Sequence, residues 1–215
     1  PFASGQITIR QMAGIALATF TSALFLAYQV NYSFVAAVLI YFFITASYSL
    51  LLKNIPVLEI AVLISGFIIR IYAGAFIADV VISDWLMAMA ILLVLLLATG
   101  KRRNELVLWH QKGIKARNAI TYYNLTLLNV AVLGIGAAII VTYTLYTINA
   151  NIIAQFKTNN LIFTTLPVFA GMIRYAYLLF RTEKASNPAH LLINDPILLL
   201  LFATWIGTFA AFVYG

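Results

Sequence analysis

Residues 85–105 read WLMAMAILLVLLLATGKRRNE, an unbroken apolar run closed by three cations, an asparagine and a carboxylate. In water such a run would need cover on every side. In a bilayer it is a span: roughly 20 mostly apolar residues cross the hydrocarbon as a helix, and a basic flank marks where the helix meets headgroups. The rest of the chain reads the same way. It is 64% hydrophobic and 9% charged over 215 residues, too little charge to clothe a soluble fold of this size.

About seven apolar stretches follow, near 11–30, 33–52, 57–78, 85–100, 121–147, 161–180 and 196–214. Each must satisfy its own backbone hydrogen bonds in lipid, which makes it a helix. The runs are continuous and not alternating, which argues against a barrel. Breaks fall at Asn31, at Lys53-Asn54-Ile55-Pro56, at Ser83-Asp84, along a basic segment at 101–118, at 149–160, and at 181–196 with Pro188 and Pro196. No fixed-period repeat is present. The expected fold is all-α: one polytopic transmembrane helical bundle over residues 1–215. The chain opens at Pro1 inside a polar stretch, so a further N-terminal portion is expected upstream, and nothing here resembles a cleavable signal peptide.

Composition also excludes. There is no cysteine, hence no disulfide and no thiolate metal site. His110 and His190 are too far apart in sequence to suggest a metal-ligand spacing. A net charge of +7 reads as topology, anionic headgroups and phosphate-bearing substrates, not as nucleic-acid binding. With helices alternating in direction, one side carries Arg10, Lys53, Lys101, Arg102, Arg103, Lys112, Lys115, Arg117, Arg181 and Lys184. The other carries only Lys157, with Asp79 and Asp84. The positive-inside rule makes the first side cytoplasmic and the chain a multi-pass protein of the cell (inner) membrane.

Three places could carry chemistry, and each has a plainer reading. Tyr48 to Glu59 surrounds a turn set by Pro56; Lys53 and Glu59 flank it at the surface, either as a snorkelling lysine and a helix-start carboxylate or as a reactive pair. Glu59, Gly66, Arg70 and Gly74 share a helical face. Arg70 lies about 16 Å beyond Glu59, too far for an ion pair. It is either a structural arginine with an unnamed partner or a cation awaiting phosphate. Lys101-Arg102-Arg103-Asn104-Glu105-Leu106 directly follows a helix ending near Gly100. It is either a stop signal or, with the basic loop to Arg117, a phosphate-binding surface. Arg174 is expected to snorkel, Gly134 and Gly136 to mark close helix packing, and Asp79 and Asp84 to lie on the wrong side.

These residues resemble the UbiA-type intramembrane prenyltransferases, and within them the branch that transfers phosphoribose to decaprenyl phosphate. The resemblance runs through Tyr48-Ser49 to Lys53 with Ile55-Pro56, Gly66-Phe67 with Arg70, Ala73-Gly74-Ala75, Ser83 and Trp85. It continues through Gly100 to Leu106, Ala116-Arg117 with Tyr122-Tyr123, and Arg174-Tyr175 with Asp195-Pro196. Pro1-Phe2-Ala3-Ser4-Gly5 matches the tail that follows the family's aspartate-rich metal motif. The resemblance therefore implies a bundle of about nine helices, two of them and the main metal carboxylates upstream of Pro1. One departure is Glu59, where the branch usually has aspartate.

What the resemblance implies is transfer of 5-phosphoribose from phosphoribosyl diphosphate to a polyprenyl phosphate, with Mg2+ on the departing diphosphate. Lys53, Glu59 and Lys101 are then the candidate catalytic residues. Tyr48, Arg70, Lys101, Arg102, Arg103, Glu105, Arg117 and Tyr122 are the candidates for substrate, and Glu59 for a metal contact. The partners implied are the polyprenyl phosphate lipid, phosphoribosyl diphosphate and the membrane, and the reading admits a homo-oligomer. Two alternatives stand beside it: a prenyltransferase moving a prenyl group to an aromatic or other acceptor, and a transporter or flippase of a phosphorylated lipid.

Overall fold

A computed structural model describes residues 8–52, 55–113, 118–181 and 192–214. Every regular element among the described residues is helical, and seven helical segments are long and apolar enough to cross a membrane. They are α1 (Ile9–Val30), α2 (Tyr32–Leu50), α3 (Leu58–Ala78), α4 (Asp84–Lys112), α5 (Leu125–Thr147), α7 (Thr165–Arg181) with the 3-10 turn Asn160–Thr164 ahead of it, and α8 (Pro196–Tyr214). A short α6 (Ala150–Phe156), unforeseen in the 149–160 connection, and a 3-10 turn at Asn118–Tyr122 also lie among the described residues.

Local chemistry sets the ends. Thr8 and Gln11 form a reciprocal capping box at α1, satisfying two donors that a helix start leaves open. Asn31 caps α2 through Phe34 and also donates its amide to the Phe76 carbonyl, 2.9 Å away on α3, so the α1–α2 turn is tied to the end of α3. Ser83, Asn124 and Asn149 cap α4, α5 and α6, as short polar side chains do.

Helices next to each other in sequence pack side by side, with α4 between α3 and α5 and α7 between α5 and α8. The core joins Leu96 of α4, Val132 and Ile139 of α5, Tyr175 and Leu179 of α7, and Leu198 of α8. Gly136 lets α7 close in: a β-carbon there would stand 3.3 Å from Met172, whereas one at Gly134 would meet nothing within 4 Å. Many large apolar side chains point outward, Phe25, Phe43, Leu127 and Leu166 among them. That is the arrangement expected when lipid tails are the solvent.

The largest correction concerns α4. It does not end near Gly100 with a basic loop after it; it continues to Lys112 and stops at Gly113, which takes φ +66. Only glycine adopts that left-handed cap without a β-carbon penalty. Arg102 and Glu105, three residues apart, pair along the helix and support the extra turns. The Lys101–Leu106 block is thus helix wall, with Arg102, Arg103, Asn104, Glu105 and Leu106 all buried.

Candidate active site

The burial of that block gathers charge. Arg102 is 1% exposed and Glu59, at the start of α3, is 0% exposed. Arg102 Nη1 stands 3.5 Å from Glu59 Oε2 and also pairs with Glu105 Oε2. One guanidinium nitrogen therefore serves two carboxylates from two helices. Arg102 Nε and Nη2, equally buried, find no hydrogen-bond partner among the described residues. These two atoms form the edge with which arginine grips a carboxylate or phosphate in two-pronged fashion.

The third wall comes from the segment before α5. Tyr123 donates its phenol hydrogen to Glu59 Oε1 at 3.1 Å and accepts from the Val57 N–H at 3.1 Å. Burial raises the Tyr123 pKa, and the nearby Glu59 carboxylate adds to the rise, so the phenol stays a proton donor. Val57 takes φ +65 ahead of α3 and has no side-chain cap bond. For a β-branched residue this is a strained conformation, costing on the order of 1–3 kcal/mol, which its surroundings must hold in place. Ile120 packs under the same corner with Leu106 and Leu128.

Arg103, one residue on, faces a different way. Its Nε donates to Asn129 of α5 at 3.0 Å, and its Nη1 to Asn104 at 3.1 Å and to the Leu179 carbonyl of α7 at 2.7 Å. Its guanidinium lies 4.8 Å from the centre of the Phe180 ring. These contacts fasten α4 to α5 and α7. Lys101 is half-buried. The starts of α3 and α5 and the ends of α4 and α7 thus meet at one end of the bundle. Arg174 and Asp195 join the start of α8 to α7, 2.8 Å apart, and Asp195 caps α8 through the Leu198 N–H at 2.9 Å. Arg174 is therefore paired across helices where snorkelling was expected. The Arg174 hydrogen bond holds the Asp195 carboxyl below its usual range.

The other described candidates are dispersed. Arg70 is exposed on α3, bonded to the Tyr41 hydroxyl and lying over the Tyr41 and Phe67 rings, 4.7 and 5.1 Å from their centres. These are the partners the sequence left unnamed. Tyr48 is half-buried near the end of α2. Tyr122 is 77% exposed; it is its neighbour Tyr123 that turns inward. Lys53 and Arg117 lie outside the described residues. Among the described residues no group of three or more histidine and acidic side chains is arranged to hold a metal. Glu59 and Glu105 do come together, but a guanidinium nitrogen sits against both. The described residues do not by themselves fit Mg2+.

Tyr123 and Asn129 are the functional-site neighbours that sequence reasoning did not single out. An asparagine inside the predominantly apolar α5 was a usable signal for Asn129. Nothing in the Tyr122-Tyr123 pair distinguishes the inward ring.

The chain matches no family model. It is homologous to curated proteins named decaprenyl-phosphate phosphoribosyltransferase. It is 30% identical to that of Mycolicibacterium smegmatis over 181 residues, 81% of this chain and 57% of the relative. It is 26% identical to that of Corynebacterium glutamicum over all of this chain and 65% of the relative. It is 24% identical to that of Mycobacterium tuberculosis over 99% of this chain and 69% of the relative. The chain thus spans 57 to 65% of the length of the first two.

Proposed function

We propose, from this homology to the decaprenyl-phosphate phosphoribosyltransferases, that the protein transfers 5-phosphoribose from phosphoribosyl diphosphate to a polyprenyl phosphate. The single observation that carries the reading is the convergence of Glu59, Arg102, Glu105 and Tyr123 at the bundle end where Lys101 also lies. By the charge count this end faces the cytoplasm of the inner membrane. A soluble phosphorylated sugar could reach it there, and a lipid phosphate could enter from the bilayer.

The chemistry asks little of the chain beyond holding anions. The bond between the sugar's anomeric carbon and the diphosphate breaks, and its electron pair leaves with diphosphate. A lipid phosphate oxygen, already anionic, supplies the pair for the new carbon–oxygen bond, so no strong base is required. Positive charge develops on the sugar and negative charge on the leaving group; preorganised cations stabilise the latter. Lys101 is the half-buried amine available for this. Arg102 offers its unpaired edge, and Glu59 and Glu105 orient it. Arg103 supports the wall. Mg2+, which would neutralise diphosphate, would need carboxylates beyond those described.

The test uses the purified full-length protein in lipid nanodiscs with Mg2+. Offered phosphoribosyl diphosphate and polyprenyl phosphate, it should release diphosphate and form a phosphoribosylated lipid. Product only from prenyl diphosphate and an aromatic acid would move it to the prenyltransferases. Lipid movement without diphosphate release would make it a transporter.

A further inference from the structure

Glu59 is the carboxylate on which the site turns, and Arg102 and Tyr123 reach it from other elements of the chain. It sits in the first turn of α3, and the residue ahead of that helix, Val57, is strained and makes no side-chain cap. What reaches both from outside is the Tyr123 hydroxyl, which accepts from the Val57 N–H and donates to Glu59 Oε1, each at 3.1 Å. A phenol has one hydrogen and can accept as well as donate. Its two bonds have fixed directions: the carboxylate takes the hydrogen and the amide takes a lone pair. The ring is carried on the Asn118–Tyr122 turn and the start of α5, not on α3 or α4. The Glu59 carboxylate is thereby referred to a third element.

We propose that Tyr123 is a positioning residue: its hydroxyl locks the strained Val57 turn and aims the Glu59 carboxylate at Arg102. It touches no reacting atom. It acts through Glu59, which meets Arg102 Nη1 through its other oxygen. Rotation of the carboxylate away from Oε1's present place would release Arg102 from one of its two anchors and turn its unpaired edge. Tyr122, adjacent in sequence and exposed, serves as the internal comparison.

The kinetic arm rests on the transfer reaction proposed above; the other arm does not. Tyr123→Phe keeps the ring and removes both bonds. Hydrogen exchange followed by mass spectrometry, on the peptide covering residues 55–60, should show at least about tenfold faster exchange, while Tyr122→Phe leaves it unchanged. This arm needs no substrate, so it stands even if the protein proves to transfer something else. In turnover, Tyr123→Phe should lower kcat by about tenfold or more and leave KM within about threefold. Added to Glu59→Gln, it should cost little further, because its effect is spent through Glu59. Unchanged exchange in Tyr123→Phe would overturn the proposal. So would rate losses that multiply in the double variant, which would mark the tyrosine as packing only.

Discussion

Arg102 on α4 meets Glu59 on α3 with 3.5 Å between Nη1 and Oε2, both side chains sealed from solvent. Each charge was removed from water to make this contact. A buried pair is worth little against apolar residues of the same volume, but removing one partner strands the other and costs about 3–5 kcal/mol. Here Arg102 also answers Glu105, so its loss takes the shared cation from two buried carboxylates.

Arg102→Met should therefore destabilise the protein by about 3–5 kcal/mol or more, and combining it with Glu59→Leu and Glu105→Leu should recover most of that loss. Thermal unfolding in detergent, with each variant measured alone and together, decides it. Losses that simply add would show that the three side chains do not act as one group.

Lys101→Ala isolates function from scaffold. Lys101 is a half-buried residue of α4 next to Arg102, so removal of its amine should cost transfer activity roughly tenfold or more, with Tm shifted by no more than about 1–2 °C. Undiminished turnover would assign the lysine to membrane topology.

Arg103→Ala should behave differently, although it is adjacent. It leaves the Leu179 carbonyl and Asn129 without their donor. Charged hydrogen bonds of this kind contribute about 1.5–3 kcal/mol, so membrane yield and Tm should fall along with activity. Arg103→Lys cannot reproduce contacts to two helices from one fork and should rescue only in part. A stable, inactive Arg103→Ala would return the residue to substrate binding.

Asp195 sets a pH dependence. Its hydrogen bond from Arg174 lowers its folded pKa, with help from the Leu198 N–H. A depressed carboxylate contributes stability that is fully present above its unfolded pKa of about 3.9 and is lost as pH falls through the folded value. Acid titration of Tm should therefore show an extra decline below about pH 4 in the native protein. Asp195→Asn should lack that component. Identical acid limbs in both would rule out the linkage.

How much of this was legible beforehand follows the physics of each feature. The spans were, because lipid imposes long apolar runs on the chain, and the charge asymmetry of Lys101 to Arg103 marked one bundle end. The extension of α4 was not: a run such as KRRNELVLWHQK is too polar to announce a span, and its burial depends on Glu59 and Asn129 arriving from other helices. Glu59 and the Lys101–Leu106 block were singled out separately, yet their meeting is a tertiary fact. The inward turn of Tyr123 over Tyr122 was beyond reach for the same reason.

Arg70 supplies the sharpest separation between burden and use. It lies about 16 Å along α3 from Glu59 and is exposed, steadied by the Tyr41 hydroxyl and two aromatic faces. An arginine at mid-span costs about 2.5–3.5 kcal/mol on insertion scales, and aromatic contact returns only about 0.5–2 kcal/mol. If the residue served the fold alone, Arg70→Met would raise or preserve stability and leave turnover intact. If it meets a phosphorylated substrate, the same variant should fold at least as well and lose activity by roughly tenfold, with KM for the lipid phosphate carrying most of the loss. Tyr41→Phe, which removes the hydroxyl and keeps the ring, should fall between the two. Measuring Tm and both kinetic constants on these variants decides the role, and a stabilised Arg70→Met with native kinetics would remove Arg70 from the site.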